Sequence, residues 1–374
     1  MIRFAELDAS TERSSYTEIA AGHETVLQAP AFVLGSFPGA ATRNYFGDYR
    51  IPPVGVYEVR DCAVSSDGLL IRDGAFFTSL QLLITEKVVN ECARYGELTA
   101  NRIPRRVIEE PVALLSGPGN VMWGHWLIDF LPKLYVLYRF GIDIRRAKFL
   151  IASNTPQFAL DLLELVGIGD TQLIRFDPYS ETIFARNLIA STGVRGGNGA
   201  HPLLVDAWRF LMASIEAKNE VPENPENTQR IFLSRGVRRG RVMTNRKEIE
   251  TIAGQAGFLV VVPEELSILK QIGVYRAARV IVAEYGSGLH NSIFATEGAM
   301  VCGLRANTLS PSFLQSGLCQ VMRQTVSYVF GDAQEEFPRH FAIGNADFRL
   351  ALRLLTLLGQ TPMVMGALPQ TGYS

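Results

Sequence analysis

Cysteine is scarce in this chain. The four present, Cys62, Cys92, Cys302 and Cys319, form no C-x-x-C pair, which excludes a cysteine-based zinc cluster or redox motif and leaves reduced, buried thiols as the simplest reading. Charge of one sign is also lacking. Thirty-six basic residues against 37 acidic ones give a net charge of -1, so no global positive field exists to hold a nucleic-acid backbone. No apolar run reaches the ~18 residues of a membrane-spanning helix. The opening residues MIRFAELDASTERSS carry acids where a secretory signal needs an apolar core. Together with the thiols, this predicts a cytoplasmic protein. The chain has no complete G-x-G-x-x-G, no G-x-x-x-x-G-K-[ST] and no Asp-x-Asp. Dinucleotide-fingerprint and nucleotide-hydrolase readings are weakened accordingly. No repeat of solenoid length is visible.

What is present is an ordinary globular composition, 47% hydrophobic and 20% charged over 374 residues, enough for two domains. Residues 1–50 are irregular, punctuated by glycine and proline. Residues 51–90 alternate around an S-S-D-G turn and predict a β-hairpin or meander. From 110 to 215, strand and helix patterns alternate. Strands are expected at 111–116, 148–152 and 171–176, and helices at 121–140, 158–167 and 203–215. The polar segment 216–229, with two prolines, reads as the linker. Strands at 230–235, 258–262, 279–284 and 300–304 follow, with helices at 247–257 and 267–278 between them and a further one opening after 285. Continuous β-branched runs alternating with helices predict parallel strands in a doubly wound α/β sheet. The expected division is 1–220, 221–340 and a C-terminal helix and tail at 341–374 that packs back on the first domain. Arg349 and Arg353, beside Leu350, Leu354 and Leu357, offer a second reading of that helix, as a weak contact with the inner membrane face.

Three constellations carry chemistry. Tyr285-Gly286-Ser287-Gly288 follows a buried strand and opens a helix, where backbone amides and a helix dipole attract an anion such as a diphosphate. Ser234-Arg235-Gly236-Val237-Arg238-Arg239-Gly240-Arg241 follows another strand on the same sheet edge, and arginine forks match phosphate oxygens two at a time. His125 and Asp129 stand at i, i+4 in an apolar helix, and Pro132, unable to donate to the carbonyl of Ile128, predicts a kink just after them. Burying such a pair is costly unless it is bonded or working, so it is a candidate general-base unit, with either member as proton acceptor.

In order and spacing these residues resemble glycosyltransferase family 61. Gly124-His125-Trp126-Leu127-Ile128-Asp129-Phe130-Leu131-Pro132 is similar to its N-Y-x-H-W-L-x-D-x-L-P element. Leu233-Ser234-Arg235 through Asn245 and Glu248 is similar to its strand and arginine loop. Pro263-Glu264-Glu265-Leu266-Ser267, then Val280 to Asn291, is similar to its last element. The resemblance spans about 50–335 and points to the bacterial capsular and exopolysaccharide members. Tyr285 departs from it, standing where the family usually has histidine, with His290 as a partial substitute. The resemblance implies a GT-B fold, two Rossmann-like domains facing a cleft, here with an N-terminal β-hairpin extension. It implies an inverting, metal-independent transfer from a nucleotide sugar, probed first as a UDP-sugar, to a hydroxyl of a glycan or lipid-linked glycan, with no cofactor. Asp129 is the first candidate for the base, being ionised at neutral pH without tuning, and His125 the second. Arg235, Arg239 and the Gly286–Gly288 amides would stabilise the leaving nucleotide. Asn245, Glu264, Tyr285, Ser287, His290 and Asn291 complete the expected donor site. The rival readings are a Rossmann-type oxidoreductase and a non-catalytic scaffold of the same fold.

Overall fold

The computed structural model describes residues 3–7, 13–37, 45, 47–93, 106–222, 229–235, 242–308, 312–334 and 340–360. These residues form a mixed α/β structure around two large sheets. In the second sheet, Arg230–Leu233, Leu259–Val261, Val280–Glu284, Met300–Ala306 and Thr325–Ala333 run parallel. Numbered along the chain, their spatial order is 2-1-3-4-5, a doubly wound order with its reversal between strands 1 and 3. Val280–Glu284 is buried throughout, which is why its sequence is a continuous apolar run rather than an alternating one.

The first sheet is parallel on one side and antiparallel on the other. Val112–Leu114, Lys148–Ala152 and Leu173–Phe176 lie side by side in chain order. Thr182–Ser191 then crosses to the far side of Val112–Leu114, placing a second reversal between those two strands. Beyond it the sheet continues antiparallel through Val54–Ser65 and the hairpin Leu69–Arg72, around the expected turn. Thr182–Ser191 is absent from the sequence reading because Arg186 and Asn187 interrupt its apolar pattern. Both are exposed positions on a strand whose other residues are mostly buried.

Three further expectations are corrected. Residues 1–50 are not irregular throughout: Phe4–Glu6, Ser14–Ala20, His23–Val26, Val33–Gly35 and Asp48–Ile51 are strands. Phe4–Glu6, Ser14–Ala20 and Val33–Gly35 take their partners from later in the chain, and His23–Val26 pairs with Asp48–Ile51 across a long intervening segment, so none shows the tight-turn punctuation that betrays local pairing. Val33–Gly35 pairs with Thr325–Ala333 in the second sheet. The C-terminal helix, Asn345–Gln360, does not return to the first sheet. Phe348, Ala351, Leu352 and Leu355 pack with Phe232, Val282 and Met300 on the second. Its buried stripe is therefore offset from Leu350 and Leu357, which are exposed. The segment Ser287–Phe294 winds as a 3₁₀ helix. It is buried from Leu289 onward, and Gln324 Nε2 donates to the carbonyl of Ser292 at 2.7 Å, satisfying a group that a longer α-helix would have used. No helix among the described residues is long and apolar enough to cross a membrane.

Candidate active site

Both reversals in strand order place side chains at carboxyl strand ends, where open α/β sheets bind ligands. At the second sheet's reversal, Arg235 leaves strand 1 and the Gly286–Gly288 turn leaves strand 3. Gly286 has φ +155° and ψ −165°, a region occupied almost only by glycine. A Cβ there would stand 2.9 Å from Arg235 Nη2, so the missing side chain lets the guanidinium lie against the turn. Beside them opens a cavity of about 990 Å³, lined on this side by Arg235, Glu264, Ser287, Gly288 and Asn291 and on the other by Met122, Trp123, Phe158 and Lys218. Its size suits a nucleotide-sized ligand.

The structure thus brings Arg235, Glu264, Ser287, Gly288 and Asn291 to one wall, with Gly286 against Arg235. It does not bring Asn245, Tyr285 or His290 there. Asn245 caps a local loop, donating from Nδ2 to the carbonyl of Ile343 at 2.8 Å and accepting from its N–H. The Tyr285 ring is turned into the core under the guanidinium of Arg305, 4.1 Å from the centroid, and its hydroxyl accepts from the Gln315 amide. His290 is buried and donates from Nδ1 to Gln315 Oε1 at 2.9 Å. Burial lowers its pKa to about 4, and the nearby charge of Arg195 acts in the same direction. At neutral pH it is an uncharged imidazole, unable to replace a cationic histidine at the turn. Arg239, with Arg238 and Arg241, lies outside the described residues.

At the first sheet's reversal lies the His125–Asp129 pair. Trp126–Phe130 is a single π-helical stretch between the turn Trp123–His125 and the α-helix Leu131–Phe140. Pro132 has no N–H to give the preceding turn, and the winding widens at this point, where the proline predicts a break in regular α-helix. His125 Nδ1 stands 2.6 Å from Asp129 Oδ2. An ionised carboxylate only accepts, so Nδ1 carries the proton and Nε2 the lone pair. Arg195, just past the end of Thr182–Ser191, grips the same carboxylate: Nε donates to Oδ1 at 2.6 Å and Nη2 to Oδ2 at 3.0 Å. Burial pushes the Asp129 carboxyl upward, but Arg195 and the His125 hydrogen bond outweigh it and hold the group below the usual carboxylate range. Lys133, one turn on, is also buried. Desolvation lowers its ammonium to about 8 despite the opposing charge of Asp129.

The two regions touch. A Cβ on Gly124 would fall 2.6 Å from His290 Cδ2 and 3.1 Å from Ser287 Cα. Trp123 Nε1 donates to Asn291 Oδ1 at 2.6 Å, and Asn291 Nδ2 to Gln271 Oε1 at 3.3 Å. Asn291 therefore serves as a clasp for Trp123 as well as a wall residue. His125 and Asp129 lie behind this contact, beside the cavity rather than on its lining.

Arg195, Trp123 and Glu284 escape the sequence reading. Arg195 stands in a glycine-rich stretch after an unrecognised strand; recognising Thr182–Ser191 would have placed it at a carboxyl strand end. Glu284 borders the cavity. Arg246 Nε donates to its Oε1 at 2.7 Å, while its buried Oε2 has no hydrogen-bond partner among the described residues. Among the described residues, no three of histidine, cysteine, aspartate and glutamate converge as metal ligands.

An open, doubly wound sheet with an anion-suited turn at its reversal, facing a histidine–aspartate pair, defines a ligand-binding α/β protein with acid–base capacity. Residues 123–302 match the model of the family described as Glycosyltransferase 61, which supports a place for this segment in that family. The match supports glycosyltransferase activity in general terms. No curated protein matches the chain.

Proposed function

We propose that the protein is an inverting, metal-independent glycosyltransferase of GT-B arrangement, in which 1–220 receives a glycan hydroxyl and 221–340 holds a nucleotide-sugar donor. A nucleoside diphosphate occupies the cavity with its phosphates at Arg235 and the Ser287–Gly288 amides. The His125–Asp129 pair takes the acceptor proton. The hydroxyl oxygen bonds to the anomeric carbon as the bond to the diphosphate breaks, and the electron pair leaves with the diphosphate. Arg235 and the turn amides offset the charge that develops on the leaving oxygen. Synthesis of a capsular or exported polysaccharide, on the cytoplasmic side of a membrane, is the setting this chemistry fits.

The observation that carries this reading is the meeting of the two strand-order reversals across the Gly124–Ser287 contact, which sets an anion-binding turn beside a proton acceptor. A thermal-shift series tests it. UDP, GDP or CMP is expected to stabilise the protein and NAD(P) is not. Arg235→Ala is expected to lose about 1.5–3 kcal/mol of nucleotide diphosphate binding, one charge-assisted contact, while remaining folded. A folded Arg235→Ala that binds as wild type removes Arg235 from the donor site, and stabilisation by NAD(P) alone points to an oxidoreductase.

A further inference from the structure

We infer that Arg195 is the positioning residue that makes His125, rather than Asp129, the proton acceptor; the inference rests on the transferase reading above. Asp129 has two oxygens, and three hydrogen bonds already reach them: Arg195 Nε on Oδ1, Arg195 Nη2 and His125 Nδ1 on Oδ2. Its side chain is 7% exposed. A general base must come within about 2.6–3.2 Å of the proton it takes, and neither Asp129 oxygen offers that approach. The His125 side chain is 29% exposed, and its Nε2 bears the lone pair because Nδ1 is committed to the carboxylate.

Arg195 is built to hold this arrangement. Its guanidinium fork meets the carboxylate at two points, a geometry lysine cannot copy. Its backbone is fixed in the short hairpin Arg195–Gly196 with Gly199–Ala200. Asp129 stays a carboxylate and accepts from Nδ1, which orients the ring and stabilises the imidazolium formed when Nε2 takes the hydroxyl proton. Arg195 thus acts on the reaction through Asp129 and His125 without touching the substrate.

The full-length protein tests this with Arg195→Lys, Arg195→Gln, Asp129→Asn, His125→Gly and the double variant Arg195→Gln/Asp129→Asn. The double variant keeps the buried site neutral where the single glutamine leaves an uncompensated carboxylate. Turnover is read as UDP release from the fastest of UDP-glucose, UDP-N-acetylglucosamine and UDP-xylose, and nucleotide binding as the thermal shift with UDP. Arg195→Gln is expected to lose about 10²-fold in turnover, the cost of a misplaced catalytic group, with UDP binding unchanged. Lysine should recover part of the loss. The double variant should lose no more than Asp129→Asn alone, because residues acting as a unit are non-additive. Imidazole should restore turnover to His125→Gly only while Asp129 and Arg195 are intact. Nitrogen NMR should find the Nδ1–H tautomer of His125 in the wild type and a mixture in the folded Arg195→Gln. Wild-type turnover in folded Arg195→Gln or in the double variant, or in His125→Gly without imidazole, would overturn the inference while leaving the transferase reading in place. A wild-type protein that binds no nucleotide would overturn that reading first.

Discussion

Asp129 and Arg195 are each costly to bury alone, and their value to the fold lies in their pairing. Removing one partner of a buried ion pair costs about 3–5 kcal/mol, because the other charge is left without compensation. Asp129→Asn is therefore expected to lower thermal stability as well as activity, a loss that chemical denaturation would measure directly. The pH dependence has a definite sign. The carboxyl titrates lower in the folded protein than in the unfolded chain, where it has its ordinary value near 3.9. The stability it contributes is complete above that value and drains away as pH falls below about 4. The gap in denaturation midpoint between wild type and Asp129→Asn should thus be full at pH 7 and shrink at pH 3; a constant gap would mean that the pair is not ionised in the fold. The i, i+4 spacing of His125 and Asp129 was legible in the sequence, since one helix sets it. Arg195 was not, because only the crossing of Thr182–Ser191 to the far side of Val112–Leu114 brings position 195 to position 129.

At the scale of elements, local patterns were readable and borrowed ones were not. Lys148–Ala152, Leu203–Glu216 and Val280–Glu284 fall within a residue or two of where their apolar periodicity puts them. Phe4–Glu6, Ser14–Ala20 and Val33–Gly35 take their meaning from distant partners, and nothing in their own sequence names those partners. The Gly286–Gly288 turn was readable from glycine spacing, but the inward rotation of Tyr285 depends on Arg305, Phe313 and Tyr328 closing around it. The contact between the turn Trp123–His125 and the segment Ser287–Phe294 gives an element-level prediction. Gly124→Ala would drive a methyl group into His290 and the backbone of Ser287. Overpacking of this kind costs about 1–3 kcal/mol, and the displacement it forces separates base from donor. Turnover is expected to fall about 10²-fold with UDP affinity changed much less. Equal losses in both would place the strain on the donor turn instead.

For the whole molecule, the last helix and an early strand both complete the second sheet. Phe348 is fully buried, its ring 6.0 Å from that of Phe232, so Phe348→Ala is expected to cost about 3–5 kcal/mol. The loss should appear in thermal melts without any change in binding to anionic liposomes; a loss of liposome binding at unchanged stability would restore the membrane reading of this helix. The pairing of Val33–Gly35 with Thr325–Ala333 has a different consequence, in time rather than space. Every strand of the first sheet has been made once residue 191 leaves the ribosome, whereas Val33–Gly35 precedes its partner by about 290 residues. At roughly 5–20 residues per second of synthesis, that strand waits about 15–60 s with its hydrogen-bonding edge uncovered. The first sheet can be assembled on the nascent chain, while the second closes only as translation ends, so release of a truncated chain would leave an intact His125–Asp129 pair facing an unfinished second sheet.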